Sequence, residues 1–188
     1  MKVTREQAAE NRARILKEAG RLFRERGFEG VSVAEVMQAA GLTHGGFYGH
    51  FKSKDDLIAQ TLAALTSGGQ LEDRDLAAYA AAYLAPKHWR DVAGGCPVAA
   101  LGVETSRATP EAKAAMTAGL RRQIEALSRS ASGETASEQR QSAIASWAAM
   151  VGAVVLARMS DDPSLSEEVV AATRAWIEGD GRSEAGAA

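Results

Sequence analysis

Residues 31–57, VSVAEVMQAAGLTHGGFYGHFKSKDDL, constrain the fold more tightly than any other stretch of the chain. Val33, Val36, Met37 and Ala40 recur at helical spacing, and Ser32 with Glu35 three residues on is a capping-box signature, so a helix begins near Ser32. Gly41 supplies the left-handed residue that ends a helix. Thr43 is placed to cap the next helix, whose apolar positions Phe47 and Phe51 turn inward and which ends near Phe51. Ser53 caps a further helix, with Asp56 at the capping-box position and Leu57, Ile58, Leu62 and Leu65 as its apolar stripe. Two short helices joined by a tight glycine turn make a helix-turn-helix. Upstream, a helix with Ile15, Leu16, Ala19, Leu22 and Phe23 on one side completes a three-helix unit.

At 188 residues the chain suits one small module of this kind followed by a larger helical domain, and abundant Ala with 5% aromatics favours an all-α fold. Arg5, Glu6, Glu10, Arg12 and Arg14 interrupt the first apolar residues, which argues against a signal peptide. The apolar run from Ala143 to Ala157, broken by Ser146, falls short of the roughly 20 residues that span a bilayer and is expected to be a buried helix. Cys96 is the lone cysteine, so no intrachain disulfide forms, in keeping with a reducing compartment.

The net charge of −2 hides an asymmetry. Residues 1–54 carry ten Lys/Arg against six Asp/Glu, or +4, which leaves twelve against eighteen, or −6, for the remainder. Clustered positive charge is the footprint of phosphate binding, and an acidic remainder helps to orient a docked molecule. Arg12, Arg14, Lys17, Arg21, Arg24 and Arg26 equally fit the solvated face of an amphipathic helix.

The run GLTHGGFYGHFKSKDDL, preceded by TREQAAENRARILKEAGRLFRERGFEGVSV, resembles the DNA-binding region of the TetR/AcrR family of bacterial transcriptional regulators. Gly41, Phe47-Tyr48, His50-Phe51, Lys54 and Leu57 in fixed register carry the likeness, over roughly the first third of the chain. The resemblance implies a helix-turn-helix DNA-binding domain over residues 1–52 and a helical ligand-binding and dimerisation domain over 53–188. It implies a homodimer that binds a palindromic double-stranded DNA operator, a repressor released by an unidentified small-molecule effector. No cofactor, membrane or catalytic activity is expected, and the expected place is the cytoplasm.

Thr43, His44, Gly45 and Gly46 open the recognition helix, the part that reaches base edges in the major groove. Two successive glycines each cost about 1 kcal/mol of helix propensity relative to Ala. They either let the backbone approach the groove floor or mark a loosened first turn. Family resemblance places Tyr48 and His50 on the sugar-phosphate backbone, and Ser32 is also expected among the DNA contacts. Lys52 and Lys54 flank the cap of the following helix, whose N-terminus is an expected phosphate site.

Further along, a helix from about Glu72 to Leu84, its predecessor ended by Gly68 and Gly69, presents Leu76, Tyr79, Ala80 and Tyr83 and is stopped by Pro86. Gly94-Gly95-Cys96-Pro97 starts another helix, and Thr109-Pro110-Glu111 caps a long one through about Arg129. Leu65, Tyr79, Tyr83, Trp89, Leu101, Met116 and Leu120 either line a pocket for a small apolar effector or are ordinary core. Cys96 resembles the GC-containing segment of a subset of the family, some of whose members respond to electrophiles, and a thiol at a helix N-terminus gains reactivity from the dipole. The other reading of Cys96 is an inert buried residue.

Two final helices are expected to self-associate. One, from Glu138 to Met159, carries Ile144, Trp147, Val151, Val154, Val155 and Arg158, with Gly152 allowing close approach. The other, from Leu165 to Ile177, carries Val169, Val170, Thr173, Trp176 and Ile177. Two such helices from each subunit make a four-helix interface, unless both fill the core of one protomer.

Other functions are weakly supported. Cys96 with His88 and Asp91 would serve a cysteine-dependent enzyme only if the fold arranged them so. His44, His50 and His88 lack ligand spacing for a metal, and Gly45 to Gly49 is not followed by the Lys-Ser/Thr of a phosphate loop. An interaction protein that keeps the fold without operator binding is the remaining alternative.

Overall fold

The computed structural model describes residues 4–67 and 75–183, and these are all-helical. The elements are α1 (Arg5–Arg26), α2 (Val33–Ala39), a 3-10 helix (His44–Gly49), α3 (Lys54–Ser67), α4 (Leu76–Tyr83), α5 (Pro86–Trp89), α6 (Pro97–Thr105), α7 (Pro110–Ser128), α8 (Ala136–Met159) and α9 (Pro163–Ser183). Gly68, Gly69 and the expected helix start at Glu72 lie outside the described residues.

The chain divides into two compact units, residues 1–68 with 100–119 and residues 69–99 with 120–188. The expected boundary after residue 52 falls inside the first of these units. The reason lies in α3, which lies along α1 so closely that a Cβ on Gly20 would come within 2.9 Å of Leu65 Cδ2. In turn Gly119 of α7 packs directly on Thr66.

In the first unit Ile15, Ala19 and Phe23 of α1, Val36 and Met37 of α2, and Leu57 and Leu62 of α3 form the core. Phe47 and Phe51 complete it, their rings stacked with centroids 5.7 Å apart. Burying two such rings contributes several kcal/mol, on the order of 2–3 each. Phe23 and Phe28 meet edge-on at 5.4 Å and carry the packing into the α1–α2 connection.

In the second unit one apolar cluster joins Tyr83, Leu84, Trp89, Cys96, Leu127, Trp147, Met150, Val154, Val170 and Ile177. Four residues expected at a subunit interface, Trp147, Val154, Val170 and Ile177, thus fill the protomer's own core, at 8%, 0%, 6% and 5% exposure. α8 is apolar nearly all round, so its sequence does not show which side faces inward. Ile144 and Trp176 remain exposed, and Val151, Val155, Val169 and Thr173 are half-buried.

α8 begins two residues before the expected Glu138, because Thr135 and Glu138 form a reciprocal capping box. The helix is 24 residues long and holds an 18-residue window of mean hydropathy 1.6, a length and composition that a buried core helix shares with a membrane span. One of its faces is buried in the second unit's cluster. The Ser166 hydroxyl donates to Ala157 O at 2.9 Å and ties the α8–α9 turn.

Candidate nucleic-acid interface

The expected cap of α2 is present in full. The Ser32 hydroxyl accepts the Glu35 amide at 3.2 Å, while the Glu35 carboxylate accepts the Ser32 amide at 2.8 Å and its hydroxyl at 2.7 Å. These bonds, with help from Arg26 at 2.8 Å, pull the Glu35 carboxyl down to about 2. Ser32 is exposed, but its hydrogen is already committed to Glu35, so a phosphate contact there would have to displace that bond.

Gly41 ends the helix at φ 69, as its identity leads one to expect. The recognition segment differs from expectation. His44–Gly49 is a 3-10 helix, ending before Phe51, and Thr43 occupies the cap position without a side-chain cap bond. Three glycines in six residues lack the propensity for an α-helix, and i→i+3 bonds such as His50 N–H to Phe47 O at 2.9 Å take its place.

Thr43, His44, Gly45, Gly46, Tyr48 and Gly49 are all exposed, Tyr48 at 71%. A Cβ added at Gly45 or Gly49 would meet nothing within 4 Å, and at Gly46 the nearest atom is Met37 Cε at 3.6 Å. None of the three has positive φ. Neither the backbone nor the packing of this chain requires glycine there.

His50 is half-buried. Lys52 is exposed and Lys54 half-buried beside the start of α3. That helix terminus is less open to an anion than expected. Asp55 and Asp56 occupy its first turn, Ser53 Oγ accepts the Asp56 amide at 3.1 Å, and Asp56 accepts the Lys52 amide at 2.9 Å. That last bond and one from Gln60 lower the Asp56 carboxyl. Two carboxylates already answer the helix dipole, so cationic side chains rather than backbone are left to attract phosphate.

Sequence reasoning counted Arg12 among the basic residues but did not foresee that its guanidinium lies over the Phe51 ring at 5.3 Å. On the rest of α1 the positive charge is partly consumed. Arg21 pairs with Glu18 and Glu25, each at 3.0 Å, and Arg26 pairs with Glu35.

Of the expected effector residues, Leu65, Leu101 and Met116 belong to the first unit and Tyr79, Tyr83, Trp89, Cys96 and Leu120 to the second. Tyr79 and Tyr83 rings lie 5.7 Å apart, and Tyr83 contacts the His88 ring at 4.5 Å. His88 Nδ1 donates to Tyr83 O at 2.6 Å, and burial lowers the His88 pKa. Cys96 is buried at 8% exposure. Beside it the Tyr83 hydroxyl is buried without a well-aligned partner, and burial followed by the nearness of Cys96 pushes its pKa far up. Arg158 Nε donates to Trp89 O at 2.7 Å and Nη2 to Asp91 O at 3.1 Å, while Nη1 is buried and unpaired. A groove of about 410 Å³ lined by Trp89, Arg90, Arg158, Ser160, Asp161 and Ser166, among others, is more polar than the expected pocket and includes Trp89 alone of its residues.

Residues 15–61 match the family described as bacterial regulatory proteins, tetR family, and residues 73–173 match the tetracyclin repressor-like C-terminal domain. The chain belongs to the TetR family. Among curated TetR-family relatives, the HTH-type transcriptional regulator AcrR of Shigella flexneri is 41% identical over 70 residues, covering 37% of this chain and 33% of that protein. The match thus spans about a third of that relative's length. A TetR-family regulator from Agrobacterium tumefaciens superposes with TM-score 0.71 at 22% identity, covering 91% of this chain and 97% of the other. AibR, solved with isovaleryl coenzyme A and operator DNA, superposes with TM-score 0.61 at 18% identity, covering 89% and 97%. At these identities the likeness is one of fold.

Proposed function

We propose that this TetR-family chain is a DNA-binding transcriptional repressor that works in the cytoplasm as a homodimer on a two-fold operator, without catalysing a reaction. The observation that carries the reading is the bare, exposed surface from Thr43 to Gly49, where glycines stand that the protein's own packing does not need. A backbone stripped of side chains is suited to close approach to base edges, with His44, Tyr48, His50, Lys52 and Lys54 at its rim.

One helix-turn-helix gives little affinity, and two set about 34 Å apart read both halves of an operator. Pairing of protomers is supported by an uncovered apolar face on α8 and α9. Ile144, Leu156 and Met159 are 41%, 56% and 76% exposed, and Leu165 and Trp176 are 48% and 51% exposed. Gly152 on α8 has open space before it.

For the effector, the reading assigns a small apolar molecule held among the aromatic residues of the second unit, Tyr79, Tyr83 and Trp89. It lowers DNA affinity by binding better to a conformation with mis-spaced recognition segments. A second route is favoured by the buried Tyr83 hydroxyl set beside Cys96, namely reaction of that thiol with an electrophile. Cys96→Ser protein that loses DNA on electrophile treatment just as wild type does would remove it.

Selection of duplexes from random-sequence DNA tests the operator reading. Enriched sequences should contain an inverted repeat. Enrichment of none would favour an interaction protein that keeps only the fold.

A further inference from the structure

Glu104, near the end of α6, sets its carboxylate against the backbone that connects α1 to α2. Its Oε2 accepts the Phe28 amide at 2.5 Å. Position 27 has to be glycine for this, because a Cβ there would collide with the same carboxylate and because Gly27 sits at φ 74. The Gly27 amide is itself spent on Phe23 O at 2.7 Å, so the turn is held from both sides.

Helix electrostatics does not explain the placement. The carboxylate lies at the C-terminal end of α1, where the dipole disfavours negative charge, so what it gains there is the charge-assisted bond to Phe28. Four residues separate that amide from the Ser32 cap of α2. Between them Phe28 and Val31 are buried, at 4% and 1% exposure, so little slack remains. The far end of the device is also fixed: Leu101 is fully buried and its carbonyl accepts the Thr105 hydroxyl at 2.8 Å.

We propose that Glu104 is a positioning residue for DNA reading, its bond to the Phe28 amide setting where α2 and the recognition segment stand relative to α1. The inference rests on the DNA-binding reading above. α6 starts at Pro97, directly after Cys96, and so links residues of the second unit covalently to this bond.

The test measures binding of the full-length protein to a duplex selected from random DNA and to a scrambled duplex, together with hydrogen exchange at the Phe28 amide. Glu104→Ala should weaken binding to the selected duplex about tenfold or more, the range of a lost charge-assisted hydrogen bond, and strip protection from Phe28. Glu104→Gln keeps an acceptor oxygen and should stay within about threefold of wild type on the same scale, with Phe28 protected. Gly27→Ala should lose at least as much as Glu104→Ala, since its φ adds strain, and the double variant should be no worse than Gly27→Ala alone. Wild-type affinity in Glu104→Ala with Phe28 unprotected overturns the inference, as does a Gln variant that falls as far as Ala. A wild type that prefers no duplex overturns the DNA-binding reading as well, whereas failure of Glu104 alone leaves wild type selective.

Discussion

The Glu35 carboxylate accepts both the amide and the hydroxyl of Ser32, at 2.8 and 2.7 Å, so the first turn of α2 is closed by the residue it also contains. Its pKa lies at about 2 in the folded chain, against 4.5 for an ordinary glutamate, and the Ser32 bonds are the main cause. A depressed carboxyl contributes stability that is present above about pH 4.5 and is lost as pH falls towards 2. Unfolding midpoints of wild type and Glu35→Gln should therefore differ most near neutral pH and converge across that window. A difference that stays constant with pH would contradict the assignment.

Gly45 separates a structural from a functional role cleanly. Because a Cβ fits there without contact, Gly45→Ala should leave stability unchanged or raise it by up to about 1 kcal/mol through helix propensity. Its affinity for a selected duplex should nonetheless fall. Unaltered affinity would return these glycines to the status of a loose first turn.

Lys54→Ala should weaken binding to selected and random duplexes alike. Loss of one phosphate contact also reduces the slope of log K against log salt by about one. An operator-selective loss would place Lys54 on a base instead.

Exposed and buried tryptophans should part company. Trp176→Glu, at 51% exposure on the uncovered α9 face, should shift the protein towards monomer in sedimentation at unchanged helix content. Trp147→Ala should instead lower stability by about 3–5 kcal/mol, because it empties a core position. A Trp176→Glu protein that sediments as wild type would move the interface elsewhere.

What the sequence disclosed was local. The Ser32–Glu35 box, the Gly41 stop, the Thr109-Pro110 start of α7 and the inward Phe47 and Phe51 depend on neighbours within a turn or two, and each stands where its residues placed it. The same signal was available at Thr135 and Glu138 and went unused. Other features depend on distant partners. A helix apolar all round carries no mark of its inner face, so Trp147 and Val154 could not be told from Ile144. Nothing near Glu104 announces a bond to an amide 76 positions away. The 3-10 form of His44–Gly49 sits between, since its glycines discourage an α-helix without naming the replacement.

The surface from Thr43 to Lys54 is the one proposed to read DNA. The measurement that tests it most directly is a titration of purified protein against a selected duplex and its scrambled counterpart at two salt concentrations. Binding should be tighter to the selected duplex and should weaken as salt rises, because phosphate contacts release counterions. Equal, weak binding to both duplexes would contradict it.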